Sequence, residues 1–508
     1  MRKPSSSRWR RVAAALALTC SMSALAAAGA SAEEYNKEYE HALSVGTEAY
    51  VYGQPLLDMQ RVYQSTTSVT VADHIGDAPV NQFSHVKDLA TTKEGPVVAP
   101  NADTLYSVAW LQLKPEPIVV HVPASPGRFD AVPLMTPYTE NFGDIGEGAS
   151  GMMAPGNYVI VAGKKRQSVE EIQGMKVIHS PYDRAWIIQR TLVKSHEDLP
   201  NAVAIQAKTK LVPLSRWRKE GLNYQPPVPE KEVTVPTEYK VPGTQPGEEP
   251  LTYWNALGAA LKQFKPPAAD RPELARLKSV GIGPDTFPAN NERLSAGTIA
   301  GLRAAVAAGP GQVAKELTEM FHAGFAAHNG WLAADIGRYG TDYSLRAIAD
   351  RIGLGALPPK IAIYPIAQTE RAGHPLNGAQ TRYVAHFPAS DFPVPVHAFW
   401  SLTMYEANGF FVANPLERYT LGDRSNLQYE EDGSLNVYIQ TGEPTNEAEQ
   451  DNWLPAPAGA FQLIMRLYGT DESAIAGILE GGAGHWTPPT ILPCLESGKT
   501  ATGWNCAS

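Results

Sequence analysis

The chain has 508 residues, with 43 basic and 52 acidic side chains and a formal net charge of −9 at pH 7. This acidic balance argues against nucleic acid or an anionic membrane surface as the main partner. The length exceeds what a single hydrophobic core supports, so we expect two or three domains. Domains of this size can fold without stabilisation by disulfides or metal ions.

The first 32 residues have the order of a secretory signal peptide. Basic residues from Arg2 to Arg11 precede an apolar run over 12–28, and Ala30-Ser31-Ala32 is a small-x-small cleavage site. We therefore predict export to the periplasm or the exterior, with cleavage near Ala32. Cleavage removes five basic and no acidic residues, which takes the net charge from −9 to −14. Later runs are shorter than the about 20 apolar residues of a spanning helix, so no stable membrane span is expected.

The next two blocks differ in their periodicity. Residues 33–70 show the apolar spacing of an amphipathic helix, which Gly53-Gln54-Pro55 is expected to bend or interrupt. Residues 71–211 contain short alternating or β-branched runs separated by turn residues, which is typical of a β-sandwich. The strands predicted there are 104–113, 117–122, 128–135, 157–162 and 186–193.

The rest of the chain divides into a linker, a helical block, a second β-rich block and a tail. Prolines crowd residues 212–250, which predicts an extended linker. Residues 251–360 have helical spacing, with Pro310 at a predicted helix start. Residues 361–492 predict a jelly roll or second sandwich, followed by a tail over 493–508. Its predicted strands are 383–387, 398–405, 434–439 and 461–467.

Cleavage of the signal peptide would leave two of the three cysteines, Cys494 and Cys506. In an oxidising compartment they predict one disulfide that closes a short loop in the tail, worth on the order of 3 kcal/mol. The alternative is a pair of free thiols. Neither cysteine lies in a catalytic motif.

The sequence contains none of the motifs that identify a reaction on their own. A Gly-x-Ser-x-Gly elbow, a His-Glu-x-x-His zinc motif, a phosphate-binding loop and a Cys-x-x-Cys pair are all absent. Enzymes that use nucleotides or nicotinamides are therefore not expected, and we predict neither a cofactor nor a metal. Candidate chemistry rests on clusters of polar side chains.

The first polar cluster is Asn101, Asp103 and Tyr106. If this segment is a strand, Asn101 and Asp103 share one face, where an amide, a carboxylate and a phenol could converge. Asp103 is then the candidate general base and Tyr106 the candidate acid. The alternative is that Asn101 and Asp103 cap a turn while Tyr106 packs its ring.

The second polar cluster lies in the C-terminal block. Arg466 and Tyr468 share a strand face by the period of two. Arg466 interrupts an apolar run over 461–467, where an unpaired charge is costly, so it needs either a protein carboxylate or an anionic ligand group. Further candidates for lining the same cavity, suited to a small polar or amphipathic ligand, are Asn414, Arg418, Asn452 and Trp453.

Three carboxylates occupy a glycine-rich stretch, Glu140, Asp144 and Glu147. Their oxygens could bind Ca²⁺, but their spacing does not match an EF-hand loop. The alternative is a solvated loop.

Several segments together resemble a known pair of bacterial families. Residues 98–107, Pro137-Tyr138 and Asn141 resemble the domain of unknown function 1254. The C-terminal block resembles its usual partner, the domain of unknown function 1214, in residues 339–343, 375–378, 399–405, 452–457 and 466–468. The resemblance spans about residues 40–491. It implies a mainly β protein with an α-helical middle, in which an immunoglobulin-like β-sandwich precedes a helical segment and a jelly-roll-like β-sandwich. It implies no reaction.

Two functions remain open from the sequence. One is an exported enzyme, a hydrolase or lyase for a small organic or lipid-like substrate. Its site would lie in or between the β-domains, with Asp103, Tyr106, Arg466 and Tyr468 as the catalytic residues. The other is a non-catalytic periplasmic binding or envelope-interaction protein in which these clusters are structural. The sequence predicts no oligomeric state.

Overall fold

The computed structural model describes residues 7–93, 98–163, 171–324, 329–379, 381–481, 485–496 and 504–506. The chain forms two compact units, the first from Met1–Leu57 and Lys240–Val313, the second from Asp58–Tyr239 and Ala314–Ser508. None of the helices within the described ranges combines the length and the apolar character needed to cross a membrane. Residues 1–6 of the predicted signal peptide, and its side chains up to residue 30, lie outside the description, so export remains a prediction.

The helices concentrate before, between and after the β-rich parts. In chain order they are α1 (Ser7–Thr66), α2 (Leu199–Lys208), α3 (Leu214–Glu220), α4 (Leu251–Gln263), α5 (Arg271–Leu277), α6 (Ala296–Gly324), α7 (Tyr343–Gly353), α8 (Glu447–Gln450) and α9 (Glu472–Glu480).

The first unit is helical, and two of its helices continue through prolines. Helix α1 runs through Pro55 and α6 through Pro310, so the expected interruption and the expected helix start are both wrong. An interior proline costs a helix about 3 kcal/mol. Here the buried faces of both helices outweigh that cost. Their approach is close, because a Cβ on Gly309 would lie 2.1 Å from the Tyr50 ring.

All strands of the described residues lie in the second unit. In chain order they are β1 (Ser84–His85), β2 (Thr104–Gln112), β3 (Ile118–Val122), β4 (Asp130–Met135), β5 (Asn141–Glu147), β6 (Gly156–Ala162), β7 (Glu171–Ile172), β8 (Met175–Ser180), β9 (Arg184–Leu192), β10 (Lys210–Pro213), β11 (Trp331–Leu332), β12 (Ala362–Ile363), β13 (Ile366–Ala367), β14 (Arg382–Phe387), β15 (Val396–Glu406), β16 (Thr420–Gly422), β17 (Leu435–Gln440), β18 (Trp453–Pro455), β19 (Phe461–Thr470), β20 (Thr490–Glu496) and β21 (Trp504–Cys506).

These strands form four sheets, mostly antiparallel. Sheet 1 has the order β1-β2-β9-β4-β5 and sheet 2 the order β10-β3-β6-β8-β7; together they form the N-terminal β-domain. Sheet 3 has the order β11-β13-β19-β15-β16, with β12 also paired to β19, and sheet 4 has the order β18-β17-β14-β20-β21; these form the C-terminal β-domain. The protein is thus rich in antiparallel strands, with a helical middle.

Each β-domain has a core drawn from both of its sheets. In the N-terminal domain, Leu111 and Ile187 of sheet 1 pack with Val120 and Ile160 of sheet 2. In the C-terminal domain one buried cluster contains residues of sheet 3, such as Met465, and of sheet 4. The alternation of side chains then leaves sheets 1 and 3 each with a second face directed away from its own core.

The predicted strands are present, with ends that differ by at most three residues. Strand β5 was expected to be a loop because it contains Gly143 and Gly146, and glycine weakens a strand. Packing against the neighbouring strand β4 requires a glycine at position 146. Gly146 has φ 150°, and a Cβ there would lie 1.8 Å from the carbonyl oxygen of Asp130 on β4.

The predicted linker is shorter than its prolines indicate. Its first residues form β10 and α3, because Val212 pairs in sheet 2 with Val119 and is buried. Beyond α3 the chain is largely irregular, and hydrogen bonds tie it to the end of α1. Thr70 N donates to Val233 O at 2.9 Å, for example.

The tail places the two cysteines opposite each other. Cys494 is buried on β20, and its Cα partner across the antiparallel pair β20–β21 is Cys506. The side chain of Cys506 lies outside the described residues, so the disulfide remains a prediction.

Candidate functional site

Asp103 connects the two β-domains. It immediately precedes β2 and is fully buried. Its Oδ2 accepts a hydrogen bond from Ser401 Oγ on β15 at 2.7 Å, and its Oδ1 is paired with the guanidinium of Arg424. Arg424 also donates to Val193 O at 3.0 Å and lies 4.7 Å from the centre of the Phe399 ring. Both oxygens of the predicted base are therefore engaged.

Asn101 forms a turn and reaches the C-terminal domain as well. Its Oδ1 accepts hydrogen bonds from the backbone amides of Asp103 and Thr104, at 2.7 and 3.3 Å. This is the self-closing Asx geometry that asparagine favours in turns. Its Nδ2 donates to the hydroxyl of Tyr468 at 2.9 Å. Asn101 thus precedes β2 instead of belonging to it.

Arg466 is buried and holds the segment that contains Asn101. Its Nη1 donates to Thr403 Oγ1 at 2.9 Å, and its Nη2 donates to Tyr405 OH at 2.7 Å and Ala99 O at 3.1 Å. Its hydrogen-bond partners are therefore neutral oxygens. Asp103 forms no hydrogen bond with Arg466, but its negative charge helps to raise the pKa of that arginine. The sequence predicted a protein carboxylate or an anionic ligand group as its partner, whereas the structure gives it a backbone carbonyl and two hydroxyl groups.

The structure thus brings Asn101, Asp103, Arg466 and Tyr468 together where the two β-domains meet. Tyr106 lies nearby but on the outer face of sheet 1, defined here as the face directed away from sheet 2.

The four further lining candidates form a separate group. Asn414 bonds within its own loop, and Arg418 donates to Trp453 O at 2.9 Å. Asn452 donates to Asn436 O at 3.0 Å. Trp453 belongs to sheet 4, whereas Arg466 belongs to sheet 3.

The three carboxylates of the glycine-rich stretch point to different partners. Glu140 accepts from the backbone amide of Tyr339 at 3.0 Å, and Glu147 accepts from Ser125 Oγ at 3.0 Å. Asp144 faces Arg338 at 3.4 Å. Among the described residues no group of three or more His, Cys, Asp or Glu side chains is placed to hold a metal ion.

A further polar cluster, whose central arginine was not predicted from the sequence, lies on the outer face of sheet 1. Its centre is Arg190 on β9, whose Cα partner on β2 is Tyr106. The guanidinium is buried, donates to Ile188 O at 3.2 Å and Gly355 O at 2.6 Å, and lies 5.6 Å from the centre of the Tyr106 ring. The segment that follows α7 therefore covers part of this face.

Two tyrosines of the C-terminal domain face Arg190. Tyr364 and Tyr468 pack edge to face with their ring centres 6.4 Å apart, and both interact electrostatically with Arg190. Burial raises the pKa of Tyr364, and it raises the pKa of Tyr468 well above its usual value. Their hydroxyls therefore stay protonated at neutral pH and can donate hydrogen bonds.

Asp144 lies on the same face of sheet 1, since it pairs with Pro133 on β4 and Ala131 on that strand pairs with Arg190. Its Oδ1 is buried and has no hydrogen-bond partner among the described residues. Burial raises the pKa of Asp144 to about 6, although Arg338 and Arg190 act to lower it. We call Tyr106, Asp144, Arg190 and Tyr364 the tyrosine–arginine cluster.

Arg190 had a signal in the sequence. It lies with Gln189 and Thr191 between apolar residues of the predicted strand 186–193, and Arg466 lies in the largely apolar run 461–467. The argument that a charge in such a run needs a partner applies equally to both.

Comparison with known proteins identifies the two β-domains. The family model described as "Protein of unknown function (DUF1254)" matches residues 80–213, and "Protein of unknown function (DUF1214)" matches residues 361–472. A search of curated proteins found no match.

Two solved structures are similar to this chain. The VPA0106 protein of Vibrio parahaemolyticus is 20% identical, with a TM-score of 0.59 over 89% of this chain and 99% of that one. An uncharacterized protein of Burkholderia cenocepacia is 10% identical, with a TM-score of 0.39 over 92% of this chain and 97% of that one. At this identity the first likeness concerns the fold alone. The chain thus matches the DUF1254 family model in its N-terminal β-domain and, further along, the DUF1214 family model in its C-terminal β-domain.

Proposed function

We propose that the tyrosine–arginine cluster binds a small organic ligand through a carboxylate or another oxyanion. The observation that carries this proposal is the buried guanidinium of Arg190, whose hydrogen bonds to Ile188 and Gly355 end on neutral carbonyl oxygens. The carboxylate of Asp144 acts on Arg190 through charge and forms no hydrogen bond with it among the described residues. A buried cation that lacks a hydrogen-bonded anion is costly, and a guanidinium matches a carboxylate with two parallel hydrogen bonds. The hydroxyls of Tyr106 and Tyr364 would supply further donors.

The surroundings of the cluster support an amphipathic ligand. Arg190 is buried, whereas Tyr106 on the same face of sheet 1 is half-buried. Three further half-buried residues, Val108, Ile188 and Leu354, pack against the buried pair Trp110 and Trp186 and provide an apolar wall. Apolar walls with a few convergent polar groups are the usual composition of small-molecule sites. The non-polar part of the ligand would rest on this wall.

Replacing Arg190 with methionine is expected to weaken ligand binding at least tenfold. Decanoate is a suitable probe because it joins a carboxylate to an alkyl chain. Trp110 and Trp186 stack 5.5 Å apart on the same face, so their fluorescence should report binding. The control is Arg218→Met, which removes an exposed arginine of α3. Equal decanoate affinity in both variants would contradict the proposal.

An exported enzyme, a hydrolase or lyase, is the second candidate function, and Asp144 favours it. A buried carboxylate with one unengaged oxygen and a pKa of about 6 is suited to accept a proton near neutral pH. Asp103 is less suited, because Ser401 and Arg424 occupy both of its oxygens.

Asp144→Asn should separate catalysis from binding. If Asp144 is the base, we expect hydrolysis of p-nitrophenyl decanoate to fall by 10²-fold or more, while decanoate affinity changes less than threefold. The conservative amide keeps the shape of the side chain and removes its basicity. Unchanged hydrolysis, or none in the wild type, would leave the non-catalytic binding function as the better account.

We also propose that the protein is exported and that its tail carries a disulfide. In the proposed fold the N-terminal β-domain is an immunoglobulin-like sandwich and the C-terminal β-domain is a jelly roll. The opposed positions of Cys494 and Cys506 support the disulfide. Mass spectrometry of protein from its native host should find an N-terminus at Glu33 and the two cysteine peptides linked until reduction. An N-terminus at Met1 would refute export, and alkylation of Cys494 and Cys506 without prior reduction would refute the disulfide.

A further inference from the structure

A cavity of about 320 Å³ opens on the outer face of sheet 2, away from the tyrosine–arginine cluster on sheet 1. Its volume is at the lower end of the range for ligand pockets, which is roughly 300–1,000 Å³. The cavity is lined by His121, Pro123, Ala207, Lys208, Lys210 and Leu222.

Strand pairing gives this cavity an ordered polar side. Lys210 on β10 is the Cα partner of His121 on β3, and His121 is in turn the partner of Asn157 on β6. The three side chains therefore stand in one row on the same face. His121 Nδ1 lies 2.6 Å from Asn157 Oδ1, and because that carbonyl oxygen can only accept, Nδ1 is the donor. The hydrogen bond to Asn157 thus fixes the orientation of the imidazole, and Nε2 can bond to a ligand.

The cavity has basic residues and no carboxylate in its lining. Neither Lys208 nor Lys210 forms an ion pair with another described residue, although the chain as a whole carries a net charge of −9. Burial, and after it the charges of Lys210, His74 and Lys87, lower the pKa of the neighbouring His85 to about 4, so this histidine adds no positive charge at neutral pH.

We propose that this cavity is a second ligand site, which binds a compact dianion of the phosphate or phosphate-monoester class. Lys208 and Lys210 would supply the charge, and His121 Nε2 a directed hydrogen bond. Pro123, Ala207 and Leu222 form an apolar wall for the organic part of an ester. The same chemistry fits a free phosphate compound and a lipid headgroup. The proposal does not depend on the function of the tyrosine–arginine cluster.

Isothermal titration of the full chain tests this site with two probes, inorganic phosphate and vesicles containing phosphatidic acid, whose headgroup is a phosphate monoester. The pocket variant is Lys208→Gln/Lys210→Gln. The control, Lys176→Gln/Lys219→Gln, removes the same charge from exposed lysines of the same domain. We expect the wild type and the control to bind, and the pocket variant to bind at least tenfold more weakly.

The two probes distinguish the sources of the ligand. Lysine-dependent binding of inorganic phosphate supports a free phosphate compound, and lysine-dependent binding of the vesicles alone supports a lipid headgroup. Binding that the pocket variant retains at the control's level would overturn the site, as would the absence of binding to either probe. Circular dichroism confirms that each variant is folded. His121→Gln provides a second test, since it should weaken binding without any change in lysine charge.

Discussion

Replacing Asp103 with alanine is expected to lower the free energy of unfolding by about 3–5 kcal/mol. The change leaves the guanidinium of Arg424 and the hydroxyl of Ser401 without their shared acceptor at the contact between the two β-domains. The Asp103 side chain is 0% exposed and that of Arg424 is 21% exposed. Solvent can therefore rehydrate part of the arginine, which places the loss at the lower end of the range.

Urea unfolding of a double-mutant cycle measures this pair. Asp103→Ala and Arg424→Met together should cost less than the sum of the single changes, by roughly 0.5–3 kcal/mol. The matched control is Asp423→Ala, which removes a carboxylate 3.6 Å from the same guanidinium at a site that is 34% exposed. It should cost less than about 1 kcal/mol. A loss for Asp103→Ala no larger than for this control would show that the contact is not stabilising.

A further variant, Asp103→Asn, separates a structural role of Asp103 from a catalytic one. If its role is to join the domains, Asp103→Asn should retain affinity for decanoate whenever the protein is folded. If Asp103 is a catalytic base, turnover should be lost in a variant of nearly unchanged stability. The occupied oxygens of Asp103 favour the first outcome.

Local sequence patterns located nine of the 21 described strands, because alternation and turn residues act over a few positions. Arg466 and Tyr468 share the face of sheet 3 directed away from its core, as the period of two requires. Asn101 and Asp103 were less well predicted, because β2 begins only at Thr104. A turn closed by an asparagine side chain resembles an extended segment when only the pattern of residues is considered.

The sequence pattern did not show which faces of the sheets would pack against each other. Arg190 and Tyr364 are far apart in sequence, and their proximity depends on packing between two domains. The glycines of β5 were also misleading, since their cost to a strand is local and the backbone contact that requires Gly146 is not. Prediction therefore failed where the deciding interaction was tertiary.

Asp130→Asn is expected to stabilise the protein above neutral pH by about 3 kcal/mol, on the order of two pKa units. Asp130 is fully buried inside the N-terminal β-domain, and burial raises its pKa to about 6 from an ordinary value of 3.8. Hydrogen bonds from Thr191 at 2.7 Å and Gln189 at 2.9 Å reach only Oδ1, and Oδ2 has no hydrogen-bond partner among the described residues.

The sign of the pH dependence follows from this raised pKa. Between pH 4 and 6 the folded state holds a proton on Asp130 that the unfolded state releases, so the free energy of unfolding falls as pH rises. Asparagine keeps the acceptor for Thr191 and Gln189 and cannot ionise. The stability of Asp130→Asn relative to wild type should therefore increase from pH 4 to pH 6 and then level off. Urea unfolding at pH 4 and pH 8 measures it, with the exposed Asp88→Asn as control. A difference that does not change between these pH values would mean that Asp130 is ionised without cost, and that its unpartnered oxygen is solvated within the fold.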